Sequence, residues 1–467
     1  MLNFYSLTLK NSKEKNLYRQ LVESDAVDAA TIKRGKKNLI SFACNDYFGL
    51  SQNLAVKKSA IDAIKKYGVG ARASRYVTGN NSLYAKLEKQ IARMKKCDEA
   101  IVFSSGYACA IGVIPALLGE GDLIVADKLI HSSLIDGSKL SGAKLMRFLH
   151  NDILHARKIL QENRGKFKKC IIITETVFSM DGDVGEVEEL LKLAVEFDAI
   201  LVSDDAHGLF LNERKDGLFL ASFEKGGGSN ALAFETEDLN KTSSDSLCWT
   251  GLVAQSTCSY QVNSENEHED GVTKPVQPQH KLLQDLNKTS SDSASKKSSV
   301  LLRKPPPFSK EALHLKLGTL SKSTGSLGGY ASGNKILIDY LRNFAKSAIY
   351  STALPPAILA ASLTSLKIIE KKNSRKNLGK KTLENAAYFC QLMNLPKPQS
   401  AIVPIIIGDN KKTLEIARKV AKKGFLISAI RPPTVEVGKA RLRITFSSEH
   451  KKNQIKKLAE VLINLFK

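Results

Sequence analysis

Short β-branched runs that end in polar residues recur through the first part of the chain. Ala100–Ala110 reads A-I-V-F-S-S-G-Y-A-C-A, Cys170–Asp183 reads C-I-I-I-T-E-T-V-F-S-M-D-G-D, and Ala199–Gly208 reads A-I-L-V-S-D-D-A-H-G. Between about 55 and 345 such runs alternate with amphipathic stretches of helical period, which predicts an α/β domain built on a doubly wound sheet. After Pro355 and Pro356, a helix rich in Ala, Leu and Ile leads into a smaller α/β unit spanning 346–467. Its expected strands are Ala401–Ile407 and Arg441–Phe446, and its last helix, Lys456–Phe466, sets Leu458, Val461, Leu462 and Leu465 on one face. Residues 1–54 form an N-terminal segment, in which Leu17, Leu21 and Val27 give helical periodicity over 12–28 before a Lys-rich turn at 33–37.

One block departs from this alternation. Residues 226–307 lack apolar periodicity and are rich in Ser, Thr, Asn and Lys, a composition expected of disorder. Within it D-L-N-K-T-S-S-D-S occurs twice, at 238–246 and 285–293, too few copies for a solenoid. Trp249, Cys248 and Cys258 read as passengers, and the C-x9-C spacing has no matching His pair for zinc, so no metal is expected.

The polar ends of the strands carry the chemistry. In an open parallel sheet, ligands bind at the carboxyl ends of the strands. Asp204 and Asp205 end one such run, and an Asp there can pair with a pyridinium nitrogen; a helix cap or turn pair is the ordinary alternative. Ser105-Gly106 opens a helix whose free N–H groups suit a phosphate. Lys322 lies within G-T-L-S-K-S-T-G-S-L-G-G-Y-A-S-G (318–333), where small neighbours would let a phosphorylated ring approach its amine. An Asp and a Lys in these settings suggest pyridoxal phosphate. Taken alone, Lys322 reads as a solvated loop cation and His131 as an ordinary helix-start histidine.

Composition narrows the class further. The formal charge is +23 over 467 residues, but the lysines are dispersed and no groove-reading motif or aromatic-interleaved basic stripe occurs, so nucleic acid is not an expected partner. The field could steer an anionic thioester. Seven cysteines, scattered, odd in number and without a C-x-x-C pair, point to reduced thiols in a cytoplasmic protein. The N-terminus has no signal-peptide core and no run of eighteen apolar residues occurs, so no membrane association is expected.

Seven segments in order carry a resemblance: N-D-Y-F-G-L (Asn45–Leu50), S-S-G-Y-A (Ser104–Ala108), H-N-D (His150–Asp152), T-E-T-V-F-S-M-D-G-D (Thr174–Asp183), D-D-A-H-G (Asp204–Gly208), T-L-S-K (Thr319–Lys322) and I-Y-S-T-A-L-P-P (Ile349–Pro356). The chain resembles the α-oxoamine synthases, pyridoxal 5'-phosphate enzymes of fold-type-I aminotransferase architecture, from about Asn38 to its end apart from the polar block. The resemblance implies a homodimer with shared active sites. It implies that Lys322 binds the cofactor aldehyde covalently and later acts as general base, that Asp204 pairs with the ring nitrogen, that His207 reaches the phenolic oxygen and that His131 stacks on the ring. Gly106, Tyr107, Thr319 and Ser179 would line the cofactor pocket, and Ser351 and Thr352 would reach the neighbouring subunit's cofactor. Asn45, Thr434 and Arg443 match substrate contacts, and Arg19 is the candidate for the acyl substrate. A turn residue and a surface salt-bridge residue are the ordinary readings of Asn45 and Arg443.

The segment Ala429–Thr445, A-I-R-P-P-T-V-E-V-G-K-A-R-L-R-I-T, resembles the branch that condenses L-alanine with pimeloyl-CoA or pimeloyl-acyl carrier protein in biotin biosynthesis. Glycine or serine with another acyl-CoA is the alternative within the family. Ala71 and Ala73 stand where relatives often have glycine. About thirty residues separate the family's histidine and lysine, whereas His207 and Lys322 are 115 apart, an insertion on the order of 85 residues. The insertion either closes on the surface and leaves activity intact, or disturbs the strand around His314–Thr319 and gives an inactive relative.

Overall fold

The computed structural model describes residues 1–208 and 313–467; the polar block 226–307, with its repeated nonapeptide, Trp249, Cys248 and Cys258, lies outside them. Strands among the described residues are, in chain order, β1 (Asp25–Ala26), β2 (Thr31–Arg34), β3 (Lys37–Ser41), β4 (Glu99–Phe103), β5 (Leu123–Asp127), β6 (Lys144–Phe148), β7 (Cys170–Glu175), β8 (Ile200–Asp204), β9 (His314–Thr319), β10 (Gly329–Gly333), β11 (Ile402–Gly408), β12 (Phe425–Leu426), β13 (Ser428–Ile430) and β14 (Ala440–Thr445).

Seven of them form the large sheet in the order β4-β10-β9-β8-β7-β5-β6. β5 to β9 pair in parallel, and β10 runs antiparallel to both β9 and β4. The central strands β5, β7 and β8 are largely apolar because both faces are covered. Ile171 and Ile173 of β7 enter the core built with the Gly106–Leu117 helix, whereas Cys170 and Ile172 enter the opposite core, with the Ile153–Asn163 and Val187–Glu196 helices. β9 is paired on both sides, with Leu201 opposite His314 and Tyr330 opposite Gly318. The strand leading to Lys322 is therefore intact.

The C-terminal part carries the antiparallel sheet β11-β14-β13. The helix Lys452–Phe466 buries Leu458 and Leu462 against it, with Val461 and Leu465 partly buried. The N-terminal segment is stitched into this unit: β12 pairs with β3, and Phe42 meets Phe425 and Phe446 at ring-centroid separations of 6.2 and 5.6 Å. His450 stacks on Phe42 at 4.0 Å, and burial lowers its pKa to about 4, so the ring packs as a neutral group.

The expected helix over 12–28 does not form. A helix spans Leu2–Glu14 instead, Asn16 turns the chain to φ 55°, and Asp25–Ala26 pairs with β2. The end of this stretch is taken into backbone pairing instead: the Val27 and Asp28 N–H groups donate to the Thr31 carbonyl in the turn that joins β1 to β2, with Leu21 fully exposed and Val27 about half so.

Candidate active site

The parallel strands deliver their polar ends to one edge of the sheet. There Ser105, Gly106, His131, Glu175, Asp204, His207, Thr319 and Lys322 line a cavity of about 230 Å3. Alternation along the end of β8 sends the two acids opposite ways. Asp204 lines the cavity, its Oδ1 accepting the Ala206 N–H at 2.9 Å. Asp205 accepts from the Thr176 hydroxyl at 2.8 Å and pairs with Lys95, a structural role.

Lys322 reaches the cavity through the turn after β9. Burial lowers its amine to about 8, the charges of Asp204 and Glu175 acting in the opposite direction. Its Nζ lies 2.7 Å from His207 Nε2. Burial, reinforced by Lys322 and Arg443, holds His207 well below the usual imidazole range. The ring is thus neutral and accepts from the lysine, which leaves its Nδ1–H to donate to Tyr47 Oη at 2.7 Å. Burial pushes the Tyr47 hydroxyl up to about 12, so it keeps its proton and donates to Asn45 Oδ1 at 3.4 Å. Both terminal nitrogens of Arg443 approach that same oxygen at 3.3 Å, and Arg443 Nε donates to the Ser179 carbonyl at 2.6 Å. Arg443 is therefore buried and hydrogen-bonded beside the cavity, not a surface strand residue.

His131 caps the Ser132–Ser141 helix, its Nδ1 accepting the Ser133 N–H at 3.2 Å, while its ring lines the cavity. Burial lowers its pKa, with Asp204 opposing, so a neutral face is presented. Its backbone N–H donates to Glu175 Oε1 at 2.5 Å, and burial holds the Glu175 carboxyl well above its usual range. Ser105 caps the Gly106–Leu117 helix through the Ala108 N–H at 3.0 Å, leaving the first turn facing the cavity. A Cβ on Gly106 would stand 3.3 Å from Thr319 Cβ and crowd the space there. A buried amine of low pKa, a buried carboxyl, a neutral histidine face and an open helix N-terminus form a donor set that fits an aromatic aldehyde bearing a phosphate.

Comparison with known proteins agrees with this geometry. Residues 37–235 and 291–462 match the family model described as aminotransferase class I and II. The chain belongs to that family. Within it, the chain is 36% identical over 449 residues to the 8-amino-7-oxononanoate synthase of Methylorubrum extorquens strain PA1, covering 96% of this chain and 92% of that protein. It is 36% identical over 436 residues to the 8-amino-7-oxononanoate synthase of Methylocella silvestris, covering 93% and 99%. The fold matches that of Sphingomonas wittichii serine palmitoyltransferase with a TM-score of 0.73 at 19% identity, covering 98% of this chain and 96% of that one. These relatives place the chain in the α-oxoamine synthase branch of the family.

Not every expected residue reaches the cavity. Tyr107 lines it, with its hydroxyl donating to Asp136 at 2.6 Å. Ser179 lies beside it through its carbonyl, the group that holds Arg443. Arg19 and Thr434 meet each other, Nη2 to Oγ1 at 3.0 Å, away from the residues that line the cavity. Ser351 and Thr352 also stand apart from it, Thr352 exposed and bridged to Ser74. Tyr47 and Glu175 carried no expected role, although Tyr47 sits two residues from Asn45 and Glu175 ends an apolar strand. Their positions were legible as polar strand and turn ends; their convergence was not.

Proposed function

We propose that the chain condenses L-alanine with a pimeloyl thioester of CoA or acyl carrier protein, releasing the thiol and carbon dioxide and giving 8-amino-7-oxononanoate for biotin biosynthesis. The observation that carries this reading is the buried Lys322 amine, lowered to about 8, in one cavity with Asp204, His131 and a helix N-terminus. When bound, pyridoxal 5'-phosphate supplies an electron sink that makes the α-proton of an amino acid acidic.

The chain's own groups do the rest. Lys322 would hold the aldehyde, and its amine would then take the proton from the alanine Cα and return one after the new C–C bond has formed, the C–S bond has broken and carbon dioxide has left. Asp204 would hold a proton at the ring nitrogen, a pairing that would relieve the cost of its own burial. His207, kept neutral, orients the Lys322 amine, and His131 would cover the ring face. Arg443 and Asn45 form the cradle for the amino acid carboxylate, where a guanidinium gives two parallel hydrogen bonds.

Arg19 and Thr434 serve the acyl chain. Beside them Arg431 has a buried Nε without a hydrogen-bond partner among the described residues, and its pKa is lowered by burial and by the charges of Arg19 and Arg418. A far carboxylate on the acyl group would neutralise this cluster. Ser351 and Thr352, standing outside this chain's own cavity, serve the site of a second copy in a homodimer of the cytoplasm.

Purified protein supplied with pyridoxal 5'-phosphate is assayed with L-alanine, glycine and L-serine against pimeloyl, acetyl, succinyl and palmitoyl thioesters, with products identified by mass. Product is expected from L-alanine with a pimeloyl thioester, and none from Lys322→Ala. Preference for glycine or serine would move the chain to another reaction of the same branch; no product from any pair would remove the enzymatic reading.

A further inference from the structure

We propose that His150 is a positioning residue for amino acid binding: clamped between Asp127 and Asp183, it fixes the 178–183 turn so that the Ser179 carbonyl holds Arg443 in place. This rests on the reading that Arg443 meets the substrate carboxylate.

The clamp joins the end of one strand to the turn that follows another. Asp127 ends β5 and is fully buried, whereas Asp183 belongs to the turn that follows β7. His150 Nδ1 lies 3.0 and 3.2 Å from the two Asp127 oxygens, and Nε2 lies 2.6 Å from Asp183 Oδ2. Two carboxylates can be served at once only by a ring with a proton on each nitrogen. Burial works against that charge, but hydrogen bonds to Asp127 and Asp183 and their charges raise the His150 pKa to about 10. Asn151 repeats the bridge, its N–H donating to Asp127 at 2.8 Å and its Nδ2 to Asp183 at 3.2 Å. The Phe178 ring meets His150 edge-on, with centroids 4.4 Å apart.

The far side of the same turn holds the substrate-side strand. Asp181 pairs with Arg441, the Met180 carbonyl accepts from Arg441 at 3.3 Å, and the Ser179 carbonyl accepts from Arg443 Nε at 2.6 Å. Both arginines belong to β14. A continuous path therefore runs from His150 through Asp183, Ser179, Arg443, Asn45, Tyr47 and His207 to Lys322. In place of His150, Gln can serve one of the two carboxylates and Phe neither, so the turn loosens at Asp183 while the rest of the cavity stays assembled.

The test is steady-state kinetics on His150→Gln, His150→Phe and Asp183→Asn, with hydrogen exchange followed in peptides covering 178–183. We expect KM for L-alanine to rise about tenfold while kcat and the thioester KM change by less than about twofold. In an Arg443→Lys background, His150→Gln should add less than about twofold, since its effect passes through Arg443. The 178–183 amides should exchange faster in each variant. An unchanged alanine KM in a folded variant, a full additional effect in the Arg443→Lys background, or unaltered exchange at 178–183 would each overturn the proposal. If His150 variants fail to fold, Asp183→Asn gives the same readouts. If the wild-type chain does not use L-alanine, the functional reading has failed, and exchange at 178–183 still decides whether His150 holds the turn.

Discussion

At Lys322 two opposed effects meet in one amine. Burial disfavours the ammonium, the carboxylates of Asp204 and Glu175 favour it, and burial wins, leaving a pKa of about 8. At pH 7.5 roughly a quarter of such amines are unprotonated, against about one in a thousand for a lysine near 10.4. Acetylation of the cofactor-free protein, quantified at Lys322 by mass spectrometry, should rise with pH around a midpoint of about 8. Titration together with surface lysines would contradict the buried geometry. His150 shows the reverse case. Its folded pKa of about 10 lies above the unfolded value near 6.5, so its contribution to stability is complete below about 6.5 and fades as pH rises through 10. The difference in urea midpoint between wild type and His150→Gln should accordingly shrink between pH 6 and pH 10.5, the range set by those two values. A difference that stays constant across it would mean that the ring is held uncharged.

The turn after β7 is the element on which the substrate side of the site depends. Gly182 has φ 74°, and a Cβ there would lie 2.3 Å from the Ile402 carbonyl oxygen at the start of β11. Gly182→Ala should therefore cost about 1–3 kcal/mol in urea unfolding and also raise KM for L-alanine, because the turn can relieve the clash only by moving Ser179 and Asp181. Loss of stability with unchanged KM would show that the turn yields without disturbing Arg443. Elements were legible in the sequence where a local pattern sufficed. Cys170–Glu175 and Ile200–Asp204 are β-branched runs buried on both faces, and they form the strands expected of them. The stripe Leu17, Leu21, Val27 has the same local quality, yet it forms no helix, the chain at Asp25–Ala26 pairing with β2 instead.

For the molecule as a whole, the open question in the sequence was the block between His207 and Lys322. β8 and β9 lie side by side in parallel, and a connection between parallel neighbours needs about a dozen residues or more. Residues 205–225 and 308–313 retain that length when a short Gly-Ser linker replaces 226–307, and loop closure changes only logarithmically with length. Such a variant should be soluble and keep kcat within about fivefold of wild type. Insolubility, or a loss of activity beyond about a hundredfold, would assign the block a part in folding or catalysis. By itself the sequence determined the α/β order, the strands buried on both faces, the helix start at Gly106 and the lysine-and-acid chemistry, because each is written in residues close together along the chain. Only the tertiary structure decided that Asp205 turns away to Thr176 and Lys95, that Arg443 is buried against Asn45, and that Arg19 meets Thr434 across 415 positions. Alternation along a strand says that neighbours point opposite ways. Which of them meets a ligand is set by the sheet and the helices packed on it, through contacts between residues far apart in the chain.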